Sequence, residues 1–345
     1  MNSARRSDQA RWVMPGLILC LPLIMVISLG TGAVQLSYLE VLRGVLGALS
    51  DERGQEMIII GQIRLPRVLL AAVIGAILAS SGAAMQGLFR NPLADPSLIG
   101  VTAGATLGAS IMIVVTGTLA AGIGGLSLVS LGAFAGGLLS VLVVYKLATS
   151  PNGTSVATML LAGIAITALA GSLGNLLEFH ANNETLRRIS LWRMGGLDGA
   201  NYPRLAIATI VAAVMLYILP KFSTALNALL LGESEARHLG IDIDRVKLTL
   251  IVCVAIGVGT AVALAGSIAF VGLIVPHMVR MITGPDHRTL LPASALAGAC
   301  LLVLADTLAR LVLAPTELPV GVVTALIGVP FFISLLRKRH HYGMQ

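Results

Sequence analysis

The feature that most constrains this chain is a series of long stretches without a single charge. Trp12–Leu39, Val68–Phe89, Pro96–Tyr145, Leu147–Leu177, Leu205–Pro220, Leu248–Val279, Thr289–Ala305 and Leu318–Leu336 hold no Asp, Glu, Lys or Arg. A helix that crosses a hydrocarbon core of about 30 Å needs about 20 apolar residues, and the runs match that scale. Pro96–Tyr145 is long enough for two crossings. Lipid offers no hydrogen bonds, so each crossing must satisfy its own backbone, as a helix does. Strands of a barrel would be apolar at every second position, whereas these runs are apolar throughout. Divided at their Gly and Pro breaks, they give about ten spans. Only 11% of the residues are charged, against about 25% in an average soluble domain. The expected fold is therefore an all-α polytopic membrane protein, with residues 1–345 forming a single transmembrane domain. No clear small-residue cleavage site follows the first run, so it reads as a retained helix and not as a removed signal peptide.

Ten spans put both termini on one side, and the basic residues choose which. With the termini in the cytoplasm, 14 of the 23 Lys and Arg residues fall inside and 9 outside, the direction of the positive-inside rule. Every lysine falls inside, while the outer side uses only arginine. Arginine suits paired contacts with carboxylates, which makes the outer arginines a candidate docking surface. The net charge of +7 is accounted for by basic loops beside an anionic leaflet and implies no nucleic acid.

Several chemistries are missing from the spans. Ion-coupled carriers usually place ionisable groups in mid-membrane, and none is found there; Glu178, Asp306 and Arg310 fall toward outer ends. No GxxxxGK[ST] phosphate loop occurs. Paired carboxylates, a Ser/His/Asp set and metal-ligand clusters are likewise absent from the spans. Cys20, Cys253 and Cys300 lie inside apolar runs without metal spacing and read as small core residues. The chain is thus expected to be no enzyme, to bind no cofactor or metal, and to take any pumping energy from a partner.

Gly100, Gly104 and Gly108 recur every four residues, as do Gly132 and Gly136. This spacing lets helix backbones approach closely in lipid, and it also leaves room for cargo along a path. A weak internal echo joins SSGAAMQGL at Ser80–Leu88 to AGSIAFVGL at Ala265–Leu273, each followed by a proline-bearing turn and an acid, Asp95 or Asp286. Such echoes are consistent with two related halves.

Three stretches are more specific. They are RLPRVLLAAVIGAILASSGAAMQGLFRNPLADPSLIG at Arg64–Gly100, LGESEARHLGI at Leu231–Ile241, and AGSIAFVGLIVPHMVR at Ala265–Arg280 with ELPVGVVTALIGVP at Glu317–Pro330. Together they resemble the FecCD family of ABC-importer permeases, which move ferric siderophores, haem and vitamin B12. The resemblance runs from about Gly61 to Leu336, and the last stretch and the RNPLADPSLIGV form are most like haem permeases.

The resemblance implies a homodimer of ten-helix subunits around a central path. Two separate ABC ATPase subunits, which use ATP and Mg, would dock inside, and a soluble substrate-binding protein would deliver cargo from the periplasm. It implies that Arg64, Arg67 and Arg310 meet that binding protein, and that Asn91 and Leu93 close the inner end of the path together with the 150–156 loop, which holds Pro151, Asn152 and Gly153. The alternative for Arg310 is a pair with Asp306 in its own subunit.

Phe222–Gly240 is the one long polar break on the inner side. Gly232 can start a short helix there, Glu233 and Glu235 occupy its first turn, and Gly240 can end it. By resemblance this is the ATPase-coupling segment, carried by Gly232, Glu233, Glu235, Ala236, Arg237, Leu239 and Gly240. His180, Arg187 and Arg188 lie in the outer loop above the path and are candidates to touch a carboxylate-bearing cargo, the alternative being a solvated loop. His277 and His287 are read as structural. The function expected is the permease subunit of a binding-protein-dependent importer for haem or another iron-carrying compound, with a ferric-siderophore or vitamin B12 permease of the same family as the alternative and an ion-coupled carrier as the rival class.

Overall fold

The structure is a computed structural model that describes residues 3–32, 37–47, 58–117, 123–151 and 153–342. Its helices are α1 Ser3–Gly30, α2 Tyr38–Gly47, α3 Leu65–Leu88, α4 Val101–Thr116, α5 Ile123–Ala148, α6 Val156–His180 and α7 Asn183–Met194. They continue as α8 Tyr202–Ile218, α9 Ser223–Leu229, α10 Glu233–His238, α11 Ile243–Ala265, α12 Val271–Thr283, α13 His287–Leu311 and α14 Val320–Tyr342. One small hairpin, β1 Thr149–Ser150 with β2 Gly153–Thr154, pairs antiparallel, Thr149 opposite Thr154.

Among the described residues, seven segments are long and apolar enough to cross a bilayer, and three shorter apolar helices join them, Val101–Thr116, Val271–Thr283 and Val320–Ser334. Of the roughly ten spans expected, seven are thus of full length and three are short. At about 1.5 Å per residue, the 16 residues of α4 and the 13 of α12 reach only about 24 and 20 Å. Both begin after a break inside the protein. A 3₁₀ turn, Pro96–Ile99, precedes α4, and the segment 266–270 precedes α12, with Gly266 and Phe270 both at positive φ. Non-helical backbone at such depth is tolerated where protein or a cavity surrounds it.

Burial sorts the helices into a centre and a shell. The apolar window within Ile58–Leu88 is 83% buried and that of Ile243–Ala265 78%, whereas Trp12–Gly30 is 11% buried and Val156–His180 22%. The centre is tight because glycines meet across it. A Cβ on Gly75 would strike the carbonyl of Gly298, and one on Gly82 that of Gly272. Gly104 opposes Gly136, and Gly108 opposes Gly132, in the same manner. The four-residue glycine spacing therefore serves helix packing at these positions.

The echo between Ser80–Leu88 and Ala265–Leu273 is not one of conformation. The first segment is continuous helix, and the second spans the break before α12. The two pack on each other instead: the Gln86 side-chain amide donates to the Leu273 carbonyl at 3.0 Å. Of the cysteines, Cys253 and Cys300 are buried as expected, while Cys20 is exposed on the chain.

Candidate functional site

Three features of this fold bear on function: a platform at one end, an arginine cluster at the other, and a cavity between. The platform is built around α10. Gly232 precedes it at φ +124 and Gly240 follows it at φ +80. The Gly240 N–H donates to the Arg237 carbonyl at 2.9 Å and the Ile241 N–H to that of Ala236 at 3.1 Å, the paired bonds of a Schellman ending. The helix is held down on one side. Glu233 pairs with the buried Lys247 of α11 at 2.8 Å, and Ala236 is fully buried. α10 and its flanks present Leu231, Ser234, Glu235, Arg237, His238 and Leu239 outward, with the two leucines 70% and 65% exposed. Within the predicted set, then, Glu233 and Ala236 anchor the helix, and its outer surface belongs to the others.

The turn after α3 lies beside this platform, with Arg90 next to Gly232. The Asn91 side chain accepts the Leu93 N–H at 3.0 Å, which fixes the turn. Asn91 is exposed and Leu93 half-buried. Of the 150–156 loop, Asn152 lies outside the described residues. Its strands are fixed to α11: the Lys247 ammonium donates to the Thr154 carbonyl at 2.7 Å. At the same end, His287 is fully buried, its Nδ1 lies 2.8 Å from Asn227 Oδ1, and the ring packs on Gly87. His277 is half-buried on α12. Asp286 caps α13 by accepting the Arg288 N–H at 3.0 Å. That bond, the leading cause, holds the Asp286 carboxyl below its ordinary pKa.

At the opposite end, Arg64, Arg67 and Arg310 come together, but all three are buried, 6–7% exposed. Arg67 holds the carboxylate of Asp306 at 2.9 Å and that of Glu317 at 2.7 Å. Arg310 takes the second Asp306 oxygen at 3.1 Å and donates to Ser28 Oγ at 2.8 Å and to the Thr31 carbonyl at 2.9 Å. Arg64 donates to the Leu29 carbonyl at 2.7 Å. The cluster fastens the end of α1 to α3 and α13. The pair within the subunit, weighed for Arg310 as an alternative, is the one formed. Glu317 is the member nearest solvent, with its side chain 43% exposed.

A cavity of about 680 Å³ lies between α4 and α6. Ser97, Thr102, Thr106 and Ser110 supply one wall and Gly171 and Gly174 the other. The Thr106 hydroxyl is spent on the Thr102 carbonyl at 2.8 Å, so the wall is only weakly polar. Nothing lies within 4 Å of a Cβ built on Gly171 or Gly174. A smaller cavity of about 340 Å³ continues from Ser97, Thr102 and Ser267 toward Asp95 and Phe270. The charged residues on the larger cavity are Glu178 and Arg193, paired at 2.6 Å. His180, Arg187 and Arg188 do not line it. His180 bonds the Leu176 carbonyl at 3.0 Å, Arg187 is exposed, and Arg188 donates to the Gly117 carbonyl at 2.6 Å. The pair was missed because Glu178 and Arg193 stand 15 residues apart and only the fold of α7 back onto α6 joins them. Among the described residues no group of three His, Cys, Asp or Glu could hold a metal ion.

Comparison with known proteins agrees with this architecture. The cobalamin import system permease protein of Halobacterium salinarum is 46% identical over 282 residues, 82% of this chain and 74% of the relative. The hemin transport system permease protein of Yersinia pestis is 43% identical over 331 residues, 95% of this chain and 97% of the relative. A transporter assigned to the metal-chelate ABC type, solved in an inward-facing conformation, superposes with a TM-score of 0.83 at 33% identity, over 95% of this chain and 99% of that one. The FecCD transport family matches residues 19–338, and the chain belongs to it.

Proposed function

We propose that this chain is the membrane subunit of an ABC importer for a metal-bearing macrocycle, haem first and cobalamin second. The observation that carries the reading is the platform at α10, a short anchored helix that shows two exposed leucines on a polar surface. Lone apolar anchors on such a rim suit a fitted protein partner, and the chain has no phosphate loop of its own. In this reading the platform faces the cytoplasm and seats an ATPase subunit that uses ATP and Mg. Two copies of the chain enclose the path, both termini lie in the cytoplasm, and the membrane is the bacterial inner membrane. Asn91 and Leu93, with the hairpin Thr149–Thr154, form the inner gate. A periplasmic binding protein delivers cargo to the far end, where the buried Arg64, Arg67 and Arg310 lie beneath its docking surface. Glu317, partly exposed, is the carboxylate that a docking partner would displace from Arg67.

The weakly polar cavity walls favour a large cargo held loosely, so that it can leave again. Haem stands first because the relative named for hemin matches nearly the full length of both chains. Cobalamin stands second because the relative named for cobalamin has the higher identity. Leu231→Asp and Leu239→Asp test the platform: the permease is expected to insert and purify normally, to lose co-purification with its ATPase, and to lose transport. Normal ATPase binding by both variants would remove α10 from the contact. For cargo, the binding protein of the same system is purified and its absorption recorded. A haem band is expected, and a corrinoid spectrum would favour the second reading.

A further inference from the structure

We infer that Lys247 is a positioning residue that ties the platform helix α10 to the hairpin Thr149–Thr154, so that displacement of the first moves the second. The inference rests on the reading of α10 as the ATPase contact and of the hairpin as part of the gate. Lys247 lies one turn into α11 and is 2% exposed. Its ammonium reaches two other segments at once, the Glu233 carboxylate at 2.8 Å and the Thr154 carbonyl at 2.7 Å. A second, weaker link runs beside it on the same face of α11. Asp244 accepts from Arg237 of α10 at 3.2 Å and from the Thr154 N–H at 3.5 Å. Gly153, at φ +107, lets the hairpin pass this close, because a Cβ there would press on the Asp244 carboxylate.

The two links differ in strength. Arg237 and Asp244 are about half exposed, and exposed pairs contribute little. The Lys247 ammonium is shielded from water, where charge-assisted bonds are shorter and stronger. A buried ammonium is often no more stabilising than an apolar side chain of its volume. What it adds here is one fixed geometry among three segments that are distant in sequence. The Thr154 carbonyl stands just before Ser155, which caps α6, and α6 lines the larger cavity. A shift of Glu233 is thus handed through Nζ to the hairpin and on to the start of a path-lining helix.

The test uses the whole complex of permease, ATPase subunits and binding protein in nanodiscs. Spin labels go at Ser234 or at Ser150, with Cys20, Cys253 and Cys300 replaced, and distances between the two copies are read with and without ATP and vanadate. In the parent protein both labels are expected to shift with nucleotide. In Lys247→Met the Ser234 distance still shifts and the Ser150 shift is lost, and ATP-driven uptake falls by about tenfold, within the usual range for coupling between sites. Lys247→Arg, which keeps the donors, restores the Ser150 shift, which a defect in folding alone would not allow. Glu233→Gln, which neutralises the more exposed partner, reduces that shift and gives a second route should Lys247→Met fail to assemble. A Ser150 shift unchanged in Lys247→Met, or in Glu233→Gln where that variant is the one measured, overturns the role of Lys247 and leaves the gate reading standing. A parent protein whose Ser150 distance ignores nucleotide overturns both.

Discussion

At the residue scale, the cluster around Asp306 separates strong from weak contacts. Asp306 is fully buried between Arg67 and Arg310, so Asp306→Ala leaves Arg310 without a carboxylate and Arg67 with Glu317 alone. Breaking a buried network by removing one partner costs about 3–5 kcal/mol, and a large fall in melting temperature of the purified permease is expected. Glu317→Ala removes a half-exposed partner and should cost under about 1 kcal/mol. Equal losses in the two variants would contradict this ranking. The glycines divide in a similar way. Gly82→Ala forces a methyl into the Gly272 carbonyl and should cost about 1–3 kcal/mol, whereas Gly171→Leu meets open space and should keep stability while slowing uptake by filling the cavity. A stable, fully active Gly171→Leu would place the path elsewhere. Spacing alone marked Gly104, Gly108, Gly132 and Gly136 as close-packing candidates. It said nothing of Gly171 and Gly174, because the facing helix decides which glycines touch. For the same reason the grouping of Arg64, Arg67 and Arg310 was legible while their burial was not: Asp306 and Glu317 reach Arg67 from 239 and 250 residues away.

At the scale of elements, the uncharged runs located the spans because lipid imposes one length and one hydrogen-bonding rule on each. The breaks were less visible. Leu248–Val279 reads as one long run, and only the fold turns Gly266–Phe270 aside to start α12 halfway. Local capping chemistry was legible around α10, where Gly232 and Gly240 bracket the helix as expected. A Gly240→Val substitution should loosen that end by about 1–2 kcal/mol, since a side chain resists φ +80, and faster hydrogen exchange at the Gly240 and Ile241 amides is the readout. Unchanged exchange would deny the Schellman ending. Asp286 at the start of α13 gives a pH-dependent case. Because its pKa is depressed in the fold, its contribution is present above the ordinary carboxylate pKa of about 3.9 and is lost as pH falls through the depressed value. Asp286→Ala should therefore lower the melting temperature at neutral pH by the equivalent of about 1 kcal/mol, and the difference from the parent should close in strong acid. A gap independent of pH would assign the effect to something other than the carboxylate.

For the whole molecule, the parts form one line of action. A platform at α10 joins through Lys247 to the hairpin and to α6, α6 lines the cavity, and the far end is pinned by a buried arginine cluster. The charged groups on the two cavities are the Glu178–Arg193 pair on the larger one and Asp95 on the smaller one, which caps a 3₁₀ turn by accepting the Ser97 N–H at 2.8 Å. A permease of the proposed kind is a path driven by partner ATPases. The direct measurement is accumulation of labelled haem or cobalamin in proteoliposomes, with the binding protein supplied on the uptake side. Accumulation is expected only when the ATPase subunits and ATP with Mg are present on the platform side, and none is expected for the permease alone under an imposed proton gradient. Accumulation by the permease alone that follows the proton gradient and ignores ATP would contradict it.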